Sequence, residues 1–382
     1  MSRPSAPRPW RRRDWLGALA LGAAPWPAVA VPAVAPTQRL RCWGYHPWWM
    51  RQHWRRLRLD LLDRVSLFAL DIAADGRLPE RRGWPRDWAE LRRRVRQQGG
   101  RFDLTLFLSS PAALETLFTR EAHRQRLLQE LLALAREVDD LQLDIEVYEP
   151  ISPAAKAGVR LLCERLRQDL PAGVGLSAFG PVGAAVDLYD AELVPLLDHL
   201  VVQGYDYHHP ASRQAGPLAP LQGPDALTWP QALAHHLGLG WPRHKLLFSL
   251  PLYGYEWPVV GPQPRAATVG KARTTSYARV DAALLPEIRL NAREQAARHG
   301  AQRDAASGSP FYTYRDAQGQ WQQGWYEDET SLAAKLDWLQ AQGLAGAALF
   351  PLGYDLGAFD GLWESRFGAS VGAPRPGTKL KG

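Results

Sequence analysis

Val138-Asp139-Asp140-Leu141-Gln142-Leu143-Asp144-Ile145-Glu146-Val147-Tyr148-Glu149-Pro150 is the stretch that decides the fold. Apolar and polar residues alternate along it with period two, which is the pattern of a β-strand. Leu141, Leu143, Ile145 and Val147 share one face; Gln142, Asp144 and Glu146 share the other. An ordinary half-buried strand also turns polar residues to water, but Lys, Thr, Ser or Arg serve there as well as acids. Two carboxylates and an amide in register, ending at a proline, read more readily as a site.

Outward from this strand the chain alternates between two patterns. Before it come predicted strands at 41–49, 64–72 and 102–109, with helices at 88–98 and 120–136, so the opening stretch is the fourth strand. After it come strands at 174–179, 199–207, 245–253 and 346–352, with helices at 153–170, 229–239 and 332–342. Strand–helix alternation implies a parallel sheet with crossover helices. Eight such units predict an α/β fold of the (β/α)8 TIM-barrel type over residues 41–368. A doubly wound open sheet is the alternative, but no G-x-G-x-x-G follows the first strand. The alternation breaks at 258–325, where a helical pattern at 282–299 precedes two β-like runs flanking Asp316-Ala317-Gln318-Gly319. That is the signature of a small α+β insertion after the seventh strand.

Composition bounds the rest. A chain that is 46% hydrophobic and 22% charged has ample apolar surface for a core. The net charge of +7 is concentrated at the start: residues 1–30 carry five Arg against Asp14. No basic patch remains that would argue for nucleic acid. Those residues pair a basic region with an Ala-rich apolar run ending in Ala28-Val29-Ala30, which predicts an export signal. Arg12-Arg13 suits the twin-arginine type, and an ordinary secretory signal is the alternative. The expected location is therefore periplasmic or extracellular, with no stable membrane insertion once the signal is removed. Residues 369–382, rich in Gly, Pro and Lys, read as a flexible tail. Cys42 and Cys163 lie in no metal-ligand spacing, and a bridge between them is possible but unprompted. The pairs His208-His209 and His235-His236 read as loop or surface histidines, and neither a metal nor another cofactor is expected.

Several motifs in order carry a family resemblance. Asp139-x-x-Gln142-x-Asp144-x-Glu146 closely resembles the strand-four D-x-x-D-x-D-x-E of family 18 glycoside hydrolases. Gln203-Gly204-Tyr205-Asp206 resembles that family's strand-six M-x-Y-D, and Leu250-Pro251-Leu252-Tyr253-Gly254 its strand-seven G-x-P-x-Y-G. The stretches 309–328 and 346–353 look most like the branch containing spore-cortex N-acetylglucosaminidases. The resemblance implies a retaining, substrate-assisted glycosidase acting on β-linked N-acetylglucosamine glycans, peptidoglycan ahead of chitin. By it, Glu146 is the general acid, and burial beside other acids should raise its pKa. Asp144 would hold the substrate acetamido group and Tyr205 would donate to its oxygen, with Gln142, Asp206 and Asp139 in support. Tyr45, Trp48, Tyr253, Trp257 and Phe350 are the expected sugar-binding residues, and Glu256 is a further subsite candidate. A monomer is expected. A sugar-binding protein on the same barrel, without catalysis, is the alternative.

Three departures stand out. Gln142 replaces an Asp and cannot share a proton with Asp144. Leu106-Phe107-Leu108-Ser109-Ser110 stands where S-x-G-G is usual, and Phe350 stands where a Trp is usual.

Overall fold

The computed structural model describes residues 39–181 and 187–368; the expected export signal and tail lie outside them. The chain enters as β1 (Arg41–Pro47), β2 (Arg64–Asp71), β3 (Arg101–Leu108), β4 (Asp140–Ile145), β5 (Gly175–Gly180), β6 (His199–Val202) and β7 (Leu246–Pro251). An inserted set follows: β8 (Tyr253–Val259), β9 (Arg273–Ser276), β10 (Leu290–Asn291), β11 (Gln302–Arg303), β12 (Pro310–Arg315) and β13 (Trp321–Trp325). β14 (Gly346–Phe350) then returns to the first sheet.

β1 to β7 and β14 close into a barrel in the order β1-β14-β7-β6-β5-β4-β3-β2, with every neighbouring pair parallel. This is the eight-stranded TIM barrel that the alternation predicts. Connecting helices include α1 (Ala89–Gln97), α2 (Pro111–Thr119), α3 (Glu121–Leu134), α4 (Pro153–Asp169) and α5 (Trp229–Gly238). α6 (Ala292–His299) belongs to the insertion, and α7 (Glu329–Ala341) and α8 (Asp360–Phe367) flank β14. Local chemistry starts these helices. Ser110 and Ser152 accept from the backbone N–H of Ala113 and Ala155, each with proline at the first helical position. Asp328 and Ser331 form a reciprocal capping box at α7.

Three boundaries differ from the sequence expectation. The sixth strand ends at Val202 rather than 207, because the Gly204 N–H turns away to Ser249 Oγ at 3.0 Å. A Cβ on Gly204 would lie 2.1 Å from the Ser249 carbonyl oxygen, so only glycine permits that approach. Tyr253 belongs to the insertion, not to strand seven: β8 pairs antiparallel with β13 and β9 in the six-stranded order β10-β9-β8-β13-β12-β11. The insertion therefore begins at 253 instead of 258. Of the expected helix at 282–299 only α6 forms, since Pro286 interrupts the earlier part and Asn291 caps a fresh start at Ala292, accepting from the Glu294 N–H. Cys42 and Cys163 are both buried and unbridged.

Candidate active site

Alternation on β4 sends Asp140, Gln142 and Asp144 into the barrel, all at most 1% exposed. The chain direction then sorts them by depth. Asp140 lies at the N-terminal end, where Arg64 Nη2 meets its Oδ1 at 3.1 Å and Arg101 Nε meets its Oδ2 at 2.6 Å. The Arg64 guanidinium lies 3.8 Å from the centre of the Trp43 ring and contacts Asp103 at 3.2 Å. This end is an ion-pair plug.

At the C-terminal end the same strand meets different company. Asp144 is buried, and its Oδ1 has no hydrogen-bond partner. Burial, and then the neighbouring charge of Glu146, hold the Asp144 carboxyl well above the usual carboxylate range. Glu146 directly follows β4, with its N–H on the Leu108 carbonyl at 2.9 Å and its residue 8% exposed. Two like charges side by side do not both ionise cheaply, which is why the Glu146 charge adds to the effect of burial on Asp144. Behind them, Thr105 Oγ1 donates to Gln142 Oε1 at 3.4 Å and stands 2.7 Å from Ser66 Oγ. The Gln142 Nε2 and Tyr45 hydroxyl are buried without hydrogen-bond partners. Burial, then the Asp144 charge, push the Tyr45 phenol up.

Aromatic rings line the mouth. Tyr45 meets Phe68, Phe179 and Phe350 edge-on, at centroid distances of 6.4, 6.5 and 6.1 Å. Tyr205 stacks on Phe350 at 5.7 Å and 21°. Its phenol is pushed well up by burial first and by Glu146 second, so it keeps its proton and stays a donor. Asp206 adopts a left-handed φ of 62°, and its Oδ1 accepts from Tyr253 at 2.6 Å and Tyr255 at 2.8 Å. Tyr148 donates to Gln203 Oε1 at 3.1 Å, and Trp49 Nε1 donates to the Tyr354 hydroxyl at 3.1 Å.

The structure therefore gathers Tyr45, Gln142, Asp144, Glu146, Tyr205, Asp206, Tyr253 and Phe350 at one end of the barrel. Three expected residues go elsewhere. Asp139 lies at the opposite end, where it accepts from Arg96 at 3.0 Å and from the Phe102 N–H at 2.8 Å; it holds strands together. Trp257 is wholly buried in the insertion against Tyr255, so no face of its ring is open to a sugar. Glu256 is equally buried, bound by Arg273, by Tyr312 at 2.8 Å and by Tyr314 at 3.2 Å. Trp48 is half-buried, with the Arg82 guanidinium over one face at 4.2 Å. Of the paired histidines, His236 is a core residue of α5 rather than a surface one. Sequence reasoning missed Tyr255, although Tyr253, Tyr255 and Trp257 alternate and share one face of β8. Among the described residues, no group of three or more His, Cys, Asp and Glu could hold a metal ion, and no helix is long and apolar enough to cross a membrane.

Residues 106–355 match the family described as glycosyl hydrolases family 18, a span of well over half the chain that includes both β4 and Tyr205-Asp206. The chain belongs to that family. YdhD of Bacillus subtilis (strain 168), a putative sporulation-specific glycosylase, is 28% identical over 190 residues, which are 49% of this chain and 36% of that protein. The chain thus spans little more than a third of that relative's length. Among solved structures, the spore cortex-lytic enzyme SleL of Bacillus cereus superposes with a TM-score of 0.67 at 17% identity, over 87% of this chain and 75% of that one. A family GH18 chitinase from Cycas revoluta, in complex with allosamidin, gives a TM-score of 0.70 at 18% identity, over 85% and 98%. At such identities the two structures speak for the shared barrel.

Proposed function

We propose that this family 18 member is an exported, retaining glycosidase that cleaves β-linked N-acetylglucosamine glycans with help from the substrate's own acetamido group. The observation that carries the reading is the buried Asp144, with an unpartnered carboxylate oxygen beside Glu146 and the Tyr205 hydroxyl. A buried acceptor without a partner is costly unless a ligand supplies one, and an acetamide N–H is a suitable donor. In this scheme Glu146 gives its proton to the glycosidic oxygen as the C1–O bond breaks. The acetamido oxygen attacks C1 and forms a cyclic oxazolinium, whose N–H is held by Asp144 and whose oxygen was positioned by Tyr205. Water then attacks C1, losing its proton to Glu146, as the bond from C1 to the acetamido oxygen breaks and the acetamido group is restored. Two inversions leave the β configuration.

Peptidoglycan is favoured over chitin because the relative similar in sequence is a putative sporulation-specific glycosylase. Export follows from the leader-like composition of residues 1–30. The test is to incubate the protein with peptidoglycan, chitin oligomers and partially deacetylated glucosamine polymer, with Glu146→Gln as control, and to identify released sugars by mass spectrometry. Binding without cleavage by the unaltered protein would sink the enzyme reading in favour of a sugar-binding one. Equal cleavage of the deacetylated polymer would sink the acetamido mechanism.

A further inference from the structure

β8 opens the insertion and places Tyr253, Tyr255 and Trp257 on one face. Both of its phenols donate to a single oxygen, Asp206 Oδ1, at 2.6 and 2.8 Å. Asp206 holds a φ of 62°, a region that an Asp enters at some cost and keeps only when its surroundings fix it. It immediately follows Tyr205, so its turn and the aim of the Tyr205 ring form one unit. The rings themselves run without a gap from barrel to insertion: Phe350 to Tyr205 at 5.7 Å, Tyr205 to Tyr253 at 5.7 Å, Tyr253 to Tyr255 at 5.4 Å, Tyr255 to Trp257 at 5.6 Å. The segment after Asp206 is clipped to the insertion independently. Arg265 bridges Asp225 and Asp304, and Ala215 and Thr268 donate across to Ala266 and Arg213 at 3.0 and 2.9 Å.

We propose that Tyr255 is a positioning residue for the glycosidase reaction, acting through the Asp206 carboxylate to hold Tyr205 in the site. The insertion is then a working part of the active centre. This role rests on the glycosidase reading above.

The test is steady-state hydrolysis of N-acetylglucosamine oligomers by the full chain and by Tyr255→Phe. Loss of one hydrogen bond to a charged group is expected to lower kcat about tenfold, with KM within about twofold and the thermal midpoint lowered by no more than a few degrees, so that the chain stays folded at the assay temperature. In an Asp206→Gly background, where glycine tolerates the positive φ and the Asp206 carboxylate is gone, Tyr255→Phe should cost less than about twofold. If Asp206→Gly does not fold, Asp206→Asn serves, since its neutral oxygen accepts more weakly and the cost of Tyr255→Phe must shrink. An equal loss in both backgrounds would overturn the role, as would a rise in KM with kcat intact, which would mean that the phenol touches sugar. An unaltered protein that cuts none of the oligomers overturns the glycosidase reading and this role together; full activity in Tyr255→Phe overturns the role alone.

Discussion

Asp140 and Asp144 share one inward face of one strand, are equally buried, and live differently. Asp140 meets two arginines, through Arg64 at 3.1 Å and Arg101 at 2.6 Å. Asp144 has an oxygen with no partner and a second acid, Glu146, beside it. A protein interior tolerates a carboxylate when cations and donors surround it, and otherwise keeps it protonated. At the N-terminal end Asp140 is therefore matched by two cations, whereas at the C-terminal end an oxygen of Asp144 is left without a partner. In barrels of this kind the C-terminal face is where active sites sit and the opposite face serves stability.

The sharpest way to break this contrast is at the C-terminal end. Glu146→Gln keeps size and hydrogen-bonding capacity but cannot give a proton. Turnover should fall by about 10²–10⁴-fold, the range for losing a general acid, while thermal unfolding barely moves. Turnover of released sugar, measured beside a melting curve, checks both halves. A stability loss as large as the rate loss would put Glu146 among the structural groups.

Arg64→Met should do the reverse. It removes the cation between Asp103 and Asp140, which are 0% and 1% exposed, and breaking such a buried cluster costs about 3–5 kcal/mol. Urea unfolding reads the loss; kcat per folded molecule should stay within about twofold. A variant as stable as the parent would show that the ion-pair plug contributes nothing net.

These two ends were unequally legible in the sequence. Alternation placed Gln142, Asp144 and Glu146 on one face, because a half-polar strand leaves a period-two trace however the rest of the chain folds. Asp139 fell into the same motif, yet it sits outside the inward set and at the far end, since strand direction is a property of the whole barrel. Trp257 and Glu256 looked like cleft residues because they follow strand seven. The structure shows β8 turning at once into a second sheet that buries both. Tyr255 was hidden for the same reason: its value lies in reaching Asp206 across 49 positions of chain. The ion-pair plug left no trace either, since Arg64, Asp103 and Asp140 come from three strands.

Asp144→Asn makes the contrast quantitative through pH. Burial and Glu146 raise the folded-state pKa of Asp144 above its unfolded value, so the folded chain binds more protons than the unfolded one. Stability conferred by that proton is present at acid pH and is lost as pH rises from the ordinary carboxylate range through the folded pKa. Asn carries no such penalty. Activity should fall at least about 10²-fold, as expected for a lost transition-state contact in a dry site, while the melting temperature at pH 8 should exceed that of the parent by about 1–3 °C and at pH 4 should match it. A parent whose melting temperature is equally high at both pH values, relative to this variant, would contradict the raised pKa.

Gln142 stands between the two aspartates, and its replacement has the smallest expected effect. Thr105 donates to Gln142 Oε1, which fixes the amide with Nε2 as a donor only. Gln142→Glu preserves length and the Thr105 contact, but offers a donor only when protonated. Next to Asp144, in a buried setting, the new acid should hold its proton at mildly acid pH and resemble the amide there. As pH rises it adds a negative charge that nothing nearby compensates, and Asp144 then resists ionising. We expect kcat/KM within about threefold of the parent at pH 5 and about tenfold lower at pH 8, the scale of one pKa unit or 1.4 kcal/mol. The pH profile on an N-acetylglucosamine oligomer decides it. If the alkaline limb stays where it was, the amide does not tune Asp144, and the difference between the two ends of β4 rests on Arg64 and Arg101 alone.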